Sequence, residues 1–267
     1  MLKRVITVVI GLPIVVFFVY FGGWLLAALC GLTALFGLSE IYKAVSGGNK
    51  GIHYIGYIFT VLYFVTLQFF DFSPLLVLTA FVIILQSFLV INFKKLDIKT
   101  LTTTAYGFLY VTVLISFILL VRNTDYGQYF VWLIFASAFG CDTSAYLVGV
   151  SMGKRKLVNT PSPNKSLEGV IGGVCGAALV AGIYAFIITQ VSAPPSGFII
   201  ASVIIAPICA TFCIMGDMSA SAIKRFTGIK DFGSIFPGHG GMMDRIDSIM
   251  MAAPVVYFGV QVFLQFS

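Results

Sequence analysis

The chain has 267 residues, of which 59% are hydrophobic and 10% are charged, and its mean hydropathy is +1.03. In a water-soluble domain roughly a quarter of the residues are charged, so this composition excludes a soluble globular protein. The formal net charge of +6 is that of a chain that attracts anionic lipid and phosphate groups. We therefore expect an all-α, polytopic membrane protein.

Apolar runs recur along the chain, and each has about 18 residues or more, enough to cross a hydrocarbon core of roughly 30 Å. They predict about nine transmembrane helices, in chain order at residues 4–21, 23–46, 53–70, 74–92, 101–121, 128–149, 167–192, 197–226 and 244–266. Residues 4–46 cross the membrane once or twice, depending on whether Phe21-Gly22-Gly23 breaks the helix. A change of composition near residue 100 separates N-terminal membrane helices (1–100) from a predicted catalytic membrane region (101–267).

The basic residues predict the orientation, because Lys and Arg near helix ends favour the cytoplasmic side. When the 16 basic residues are placed on the predicted helices, all except Arg122 fall on one face. The expected N-terminus is therefore cytoplasmic. We expect a multi-pass protein of the cell inner (plasma) membrane whose active site faces the cytoplasm.

Four carboxylates from three predicted helices reach one depth near that face. An acid near the centre of a membrane helix costs roughly 2.5–3.5 kcal/mol, so it usually marks function. Asp142 and Asp217 each follow a long apolar run, whereas Asp244 and Asp247 begin the last helix. A solvated helix end is sufficient to explain Asp247 only. Hard oxygen ligands of this kind favour Mg²⁺, although an intramembrane ion pair stays open as a structural alternative.

Polar residues continue from Asp217 toward the cytoplasmic end of its helix. Ser221, Lys224 and Arg225 follow at spacings of four, seven and eight residues, which puts them on one helix face. In the preceding loop, Lys165 lies beside the predicted N-cap Ser166. A helix N-terminus attracts phosphate, so this loop is a candidate phosphate site.

Glycines recur in the helix that follows this loop. Gly169, Gly172, Gly173 and Gly176 form two overlapping GxxxG spacings. Such spacings are typical of helices that approach each other closely, so they predict packing rather than chemistry.

A second loop leads into the last predicted helix through a Gly-rich segment. Residues 221–247 read SAIKRFTGIKDFGSIFPGHGGMMDRID, and backbone amides at such a helix start bind anions. This run closely resembles the signature of the phosphatidate cytidylyltransferases, also called CDP-diacylglycerol synthases. Residues 142–146 (DTSAY) and 162–169 (SPNKSLEG) are similar to two further motifs of that family.

The resemblance implies a Mg²⁺-dependent reaction of CTP with phosphatidic acid that gives CDP-diacylglycerol and pyrophosphate. It implies that Asp217 and Asp244 hold the metal with Asp142 as a further ligand, with room for a second cation, and that Lys165 and His239 join the catalytic group. The residues expected to bind substrate are Ser162, Asn164, Ser221, Lys224, Arg225, Gly240, Gly241 and Arg245. Membrane lipid is an expected partner, a homodimer is implied by the family alone, and nucleic acid is not an expected partner.

The sequence is also compatible with two other functions. A CTP-dependent lipid kinase would transfer the γ-phosphoryl group to a polyprenol or phytol and release CDP instead of pyrophosphate. A cation-coupled transporter would use acids at the bilayer midplane. The acids cluster at one face and the sequence has no visible inverted repeat, which argues against a transporter.

Overall fold

The structure is a computed structural model that describes residues 2–48, 51–70, 73–158, 160–235 and 240–266. Nine helices occur in these ranges, and each corresponds to one of the predicted spans. They are α1 (Leu2–Phe21), α2 (Gly23–Ser46), α3 (His53–Phe69), α4 (Pro74–Ile91), α5 (Ile98–Arg122), α6 (Gly127–Met152), α7 (Leu167–Val191), α8 (Phe198–Thr227) and α9 (Met243–Phe266). The predicted all-α class is confirmed.

Seven of the described helices, α2 and α4 to α9, are long and apolar enough to cross a membrane. The protein is therefore a multi-pass membrane protein. The predicted break at Phe21-Gly22-Gly23 separates two helices, because Gly22 and Gly23 have φ angles of 64° and 56°. Glycine adopts this left-handed conformation without the steric cost of a Cβ atom.

Local sequence signals explain where several helices begin. The Ser73 side chain caps α4 by accepting the Leu75 N–H at 3.3 Å, with Pro74 in the first helical turn. The Asp97 side chain caps α5 by accepting the Lys99 N–H at 3.1 Å. Both caps satisfy amides that the helix itself leaves unpaired.

The chain forms two compact units. The first unit contains Met1–Leu119 and Thr227–Arg245, and the second contains Leu120–Phe226 and Ile246–Ser267. These units are defined by packing, so the functional division near residue 100 stays a prediction.

In the first unit, α2 packs against α3 and α5 through a buried aromatic and hydroxyl cluster. The Tyr42 ring stacks on His53 with ring centroids 4.2 Å apart, and its hydroxyl donates to the Thr104 carbonyl at 3.3 Å. His53 Nδ1 lies 2.8 Å from Thr104 Oγ1. These contacts fix the C-terminal part of α2.

In the second unit, α6 and α7 pack against each other over much of their length. A Cβ atom added at Gly172 would lie 2.6 Å from the Val148 Cβ, and one at Gly173 would lie 3.1 Å from the Ala145 Cβ. The close packing predicted from the GxxxG spacings is therefore confirmed.

We expect Gly172→Ala to destabilise the second unit, because its new methyl group would overlap the branched side chain of Val148. Overpacking of this kind costs roughly 1–3 kcal/mol. The measurement is the thermal unfolding midpoint of the purified protein in detergent. Gly182→Ala is the matched control on the same helix, since its Cβ would lie 3.3 Å from its nearest neighbour, Val203 Cγ2. Equal midpoints for the two variants would contradict the packing argument.

Candidate functional site

A cavity of about 590 Å³ lies in the second unit, lined by α6, α7, α8 and the loop between α6 and α7. Ligand pockets commonly have volumes of roughly 300–1,000 Å³, so this one has room for a substrate. Its polar lining consists of Asp142, Lys156, Asn164, Lys165, Ser166 and Asp217, and its apolar lining includes Tyr146, Val150, Val170 and Ile214.

The loop between α6 and α7 is folded back on itself, which places Lys165 on the wall of the cavity. The Leu157 N–H donates to the Lys165 carbonyl at 2.9 Å, and the Leu167 N–H donates to the Arg155 carbonyl at 2.9 Å. These two bonds belong to an isolated antiparallel bridge between Lys156 and Ser166. The backbone from the Lys165 carbonyl to Leu167 is therefore fixed.

The first turn of α7 fastens the same loop with two side chains. Ser166 caps the helix by accepting the Gly169 N–H at 3.2 Å, as the sequence predicts. The Glu168 carboxylate accepts the N–H groups of Lys154 and Arg155 at 3.2 and 3.1 Å. Glu168 thus ties the start of the loop to the helix that ends it.

An ion pair joins the Lys165 ammonium and the Asp217 carboxylate, and both residues belong to the cavity lining. Both side chains are partly buried. The Asp142 carboxylate is close enough to be repelled by Asp217 and attracted by Lys165. The structure therefore brings together three of the predicted site residues, and the charge of Lys165 offsets the repulsion between the two acids.

Asp247 also belongs to this group, and the prediction of a solvated helix end is wrong for it. Its exposed fraction is only 8%. Its charge is repelled by Asp217 and attracted by Lys224. The cause is the close approach of α8 to α9 at Gly216, where an added Cβ would overlap the Asp247 carbonyl oxygen.

Asp244 lies in the first unit, in the first turn of α9, where it organises the preceding loop. Its Oδ2 accepts the N–H groups of Phe232 at 2.9 Å and Gly241 at 3.0 Å. Gly240 has a φ of 82°, a conformation that favours glycine. The predicted contact of Gly240 and Gly241 with phosphate stays a prediction, and the Gly241 amide is directed at Asp244.

Sequence reasoning missed Glu40, which is 3% exposed in α2 of the first unit. Its Oε1 accepts the Met242 N–H at 2.9 Å, and its Oε2 accepts the Met243 N–H at 2.8 Å. The sequence does contain an indication of its importance. Glu40 is the single acid among the 24 residues of α2, and an acid within a membrane helix is costly, so it usually has a function.

The remaining predicted site residues are distributed between the two units. In the second unit, Asn164 lines the cavity, and the Ser162 carbonyl accepts the Lys165 N–H at 3.2 Å. Ser221 and Lys224 are partly buried on α8, and Arg225 beside them is exposed. Arg245 is exposed in the first unit. His239 lies outside the described residues.

The cavity lining contains two carboxylates of the kind that hold Mg²⁺ in proteins. Among the residues that the structure describes, no group of three or more His, Cys, Asp and Glu side chains has the arrangement of a complete metal site. Mg²⁺ usually takes one or two carboxylates and keeps waters or substrate phosphates as its other ligands. Asp142 and Asp217, on the wall of one cavity, supply carboxylates of this kind. The participation of Asp244 stays a prediction.

Comparison with known proteins gives the family. The profile of the cytidylyltransferase family matches residues 2–263. The chain is 38% identical to a phosphatidate cytidylyltransferase of Thermotoga maritima, over 60% of this chain and 58% of that protein. It is 33% identical to one of Bacillus subtilis, over 72% of this chain and 67% of that protein, and 27% identical to one of Synechocystis, over 98% and 97%. Because the family profile matches nearly the whole chain, the protein belongs to the cytidylyltransferase family.

Proposed function

We propose that the protein is a phosphatidate cytidylyltransferase, which converts CTP and phosphatidic acid to CDP-diacylglycerol and pyrophosphate in phospholipid biosynthesis. Family membership supports the transfer of a cytidylyl group, and the names of the relatives support phosphatidate as the acceptor. The observation that carries the proposal is the cavity of the second unit, which combines Asp142, Lys165 and Asp217 with an apolar wall. A lipid phosphate needs the charged residues for its headgroup and the apolar wall for its acyl chains.

In this reaction an oxygen of the lipid phosphate attacks the α-phosphorus of CTP. The bond from that phosphorus to the bridging oxygen of the β-phosphate breaks, and pyrophosphate leaves. The nucleophile is already an anion, so it needs little help from a general base. Bringing two polyanions together is the main difficulty, which makes positioning and charge neutralisation the main contributions of the protein.

Lys165 is suited to bind phosphate, because the folded loop holds its backbone and Asp217 orients its ammonium group. Asp142 and Asp217 would hold Mg²⁺, with Asp244 as the further proposed ligand. When bound, the ion supplies positive charge to phosphate oxygens. Lys224 lies near Asp247 and on the same face of α8 as Asp217. Its ammonium group adds to the positive charge that Lys165 provides for phosphate.

The acyl chains of phosphatidic acid stay in the bilayer, so the lipid must enter the cavity from the side. Tyr146 and Val150 support this route, because they line the cavity and are 70% and 73% exposed on α6. Their exposure gives the cavity an apolar margin on a membrane helix. Acyl chains can stay in contact with such a margin while the phosphate group reaches the polar part of the lining, which avoids the cost of moving the phosphate into apolar surroundings.

The proposed function leads to three predictions, and the first of them concerns the products. Purified protein incubated with Mg²⁺, phosphatidic acid and CTP labelled in the cytosine ring and the γ-phosphate should transfer the cytosine label to lipid and release labelled pyrophosphate. A CTP-dependent lipid kinase would instead leave CDP in solution and transfer the γ-label to a polyprenol or phytol, which are supplied as acceptors in a parallel incubation. Omitting phosphatidic acid is the control. Release of CDP with γ-labelled lipid would exclude the proposed reaction.

The second prediction concerns the carboxylates. Asp217→Asn and Asp244→Asn should each reduce turnover by roughly 10–100-fold or more, because the amide removes the charge that balances the metal. Since residues that act as one unit are not additive, the double variant should be little worse than either single variant. The measurements are turnover, its Mg²⁺ dependence and the thermal unfolding midpoint.

Asp97→Asn is the matched control for these variants, because Asp97 is an exposed helix cap and asparagine caps equally well. A purely structural ion pair predicts a different result for Asp217→Asn. Loss of its partner would leave Lys165 unpaired and lower the midpoint, while the Mg²⁺ dependence of the remaining activity would not change. That outcome would remove Asp217 from the metal site.

The third prediction concerns the membrane. We propose that the protein resides in the inner (plasma) membrane with its active site toward the cytoplasm, where CTP is found. Cysteines introduced at Lys156 and Ser234 should be protected from an impermeant thiol reagent in intact cells and react after lysis. The background variant lacks Cys175, the exposed member of the five free cysteines. A cysteine at Asp125 should react from outside, and the reverse pattern would contradict the orientation.

A further inference from the structure

Glu40 is a buried acid in the apolar helix α2, with an exposed fraction of 3%, and the groups that it contacts lie far from it in sequence. The carboxylate accepts two amides from residues more than 200 positions later in the chain. A buried charge is unfavourable unless it is hydrogen-bonded. Here two amides at a helix N-terminus compensate it, where charge-assisted bonds and the helix dipole both favour an anion.

We propose that Glu40 is a positioning residue for Asp244, and this inference rests on the cytidylyltransferase function proposed above. The two amides that Glu40 accepts belong to Met242 and Met243, which directly precede Asp244. Asp244 in turn accepts the amides of Phe232 and Gly241. Glu40 therefore holds the backbone at residues 242 and 243, and Asp244 holds it at Gly241 directly before them. The two acids fix adjacent parts of the turn that leads into α9.

The loop that carries these donors depends on such anchors. Its described residues, 228–235 and 240–242, form no helix, so helical hydrogen bonds do not hold them. Glu40 offers a rigid attachment point because the neighbouring Tyr42 is fully buried against His53 and Thr104. A reactive side chain is held accurately when the residues supporting it are themselves immobile.

Two glycines enclose the Glu40 carboxylate from the loop side. A Cβ atom added at Gly233 would lie 2.9 Å from the Glu40 Cδ, and one at Gly241 would lie 2.6 Å from it. The loop therefore closes around this side chain with no room for a methyl group. This gives Gly241 a structural reason to be glycine that does not depend on contact with phosphate.

The N–H donors around Glu40 favour a negative charge at this position. Both carboxylate oxygens face N–H groups, so glutamine would direct its own NH₂ group at one of them. The nearby charge of Lys43 also favours an anion here, and it opposes the repulsion from Asp244. The isosteric change Glu40→Gln should therefore disturb the turn although it keeps the shape of the side chain.

The test compares Glu40→Gln with Glu40→Asp in the full-length protein in detergent. Hydrogen–deuterium exchange should become roughly tenfold or more faster at residues 241–244 in Glu40→Gln, because a buried donor loses its acceptor. Turnover should fall roughly 10–100-fold, as for other residues that orient metal ligands, and half-maximal activity should require more Mg²⁺. Glu40→Asp keeps the charge and should recover part of both properties.

Gly233→Ala perturbs the contact between the loop and the Glu40 carboxylate from the loop side. If Glu40→Gln does not fold, this variant tests the positioning role instead. It should reproduce the faster exchange and the raised Mg²⁺ requirement. Ser39→Ala, on the same helix, and Ser234→Ala, exposed in the same loop, are the controls and should resemble the wild-type protein.

The outcomes for Glu40 and for the proposed function are separate. Unchanged exchange at residues 241–244 in Glu40→Gln overturns the positioning role, whatever happens to activity. Lost turnover with an unchanged Mg²⁺ requirement also overturns it, because a general structural defect would give that result. A wild-type protein that releases no pyrophosphate from CTP overturns the proposed function, whereas the exchange measurement still reports whether Glu40 holds the turn.

Discussion

The need to compensate carboxylates within apolar helices governs how this protein arranges its polar parts. Asp217 pairs with Lys165 in the second unit, while Glu40 accepts two backbone amides in the first. In both units the compensating group comes from a loop, so the acid that must be compensated also fastens that loop. The cost of an acid in a membrane helix is thereby offset by contacts that order the segments carrying the proposed chemistry.

Backbone amides are the most frequent partners in these contacts. Glu168 accepts amides from the loop before α7, and Asp244 accepts amides from the loop before α9. Loops in general run over the surface and carry functional residues, but a phosphate site needs donors that are held in place before the substrate arrives. Acids at the start of the following helix provide that order without a larger soluble domain.

Small residues determine where the cavity of the second unit forms. Gly149, Gly153 and Gly169 belong to its lining, and Gly172 and Gly173 bring α6 and α7 together beside it. In a bilayer the hydrophobic effect does not drive helices together, so close van der Waals contact takes its place. The same GxxxG glycines that predict packing therefore have a functional consequence, since they set the distance between α6, which carries Asp142, and α7, which follows directly on the loop that carries Lys165.

The sequence by itself determined the all-α class, the positions of nine helices, the Ser166 cap and the family, because apolar run length, capping residues and motif spacing are local properties of a chain. It also indicated that Asp142 and Asp217 are functional, since acids are rare in long apolar runs. Only the tertiary structure decided that Asp247 is buried and that Glu40 holds the start of α9. Those facts depend on close approach between helices and on hydrogen bonds between residues about 200 positions apart, which no local periodicity encodes.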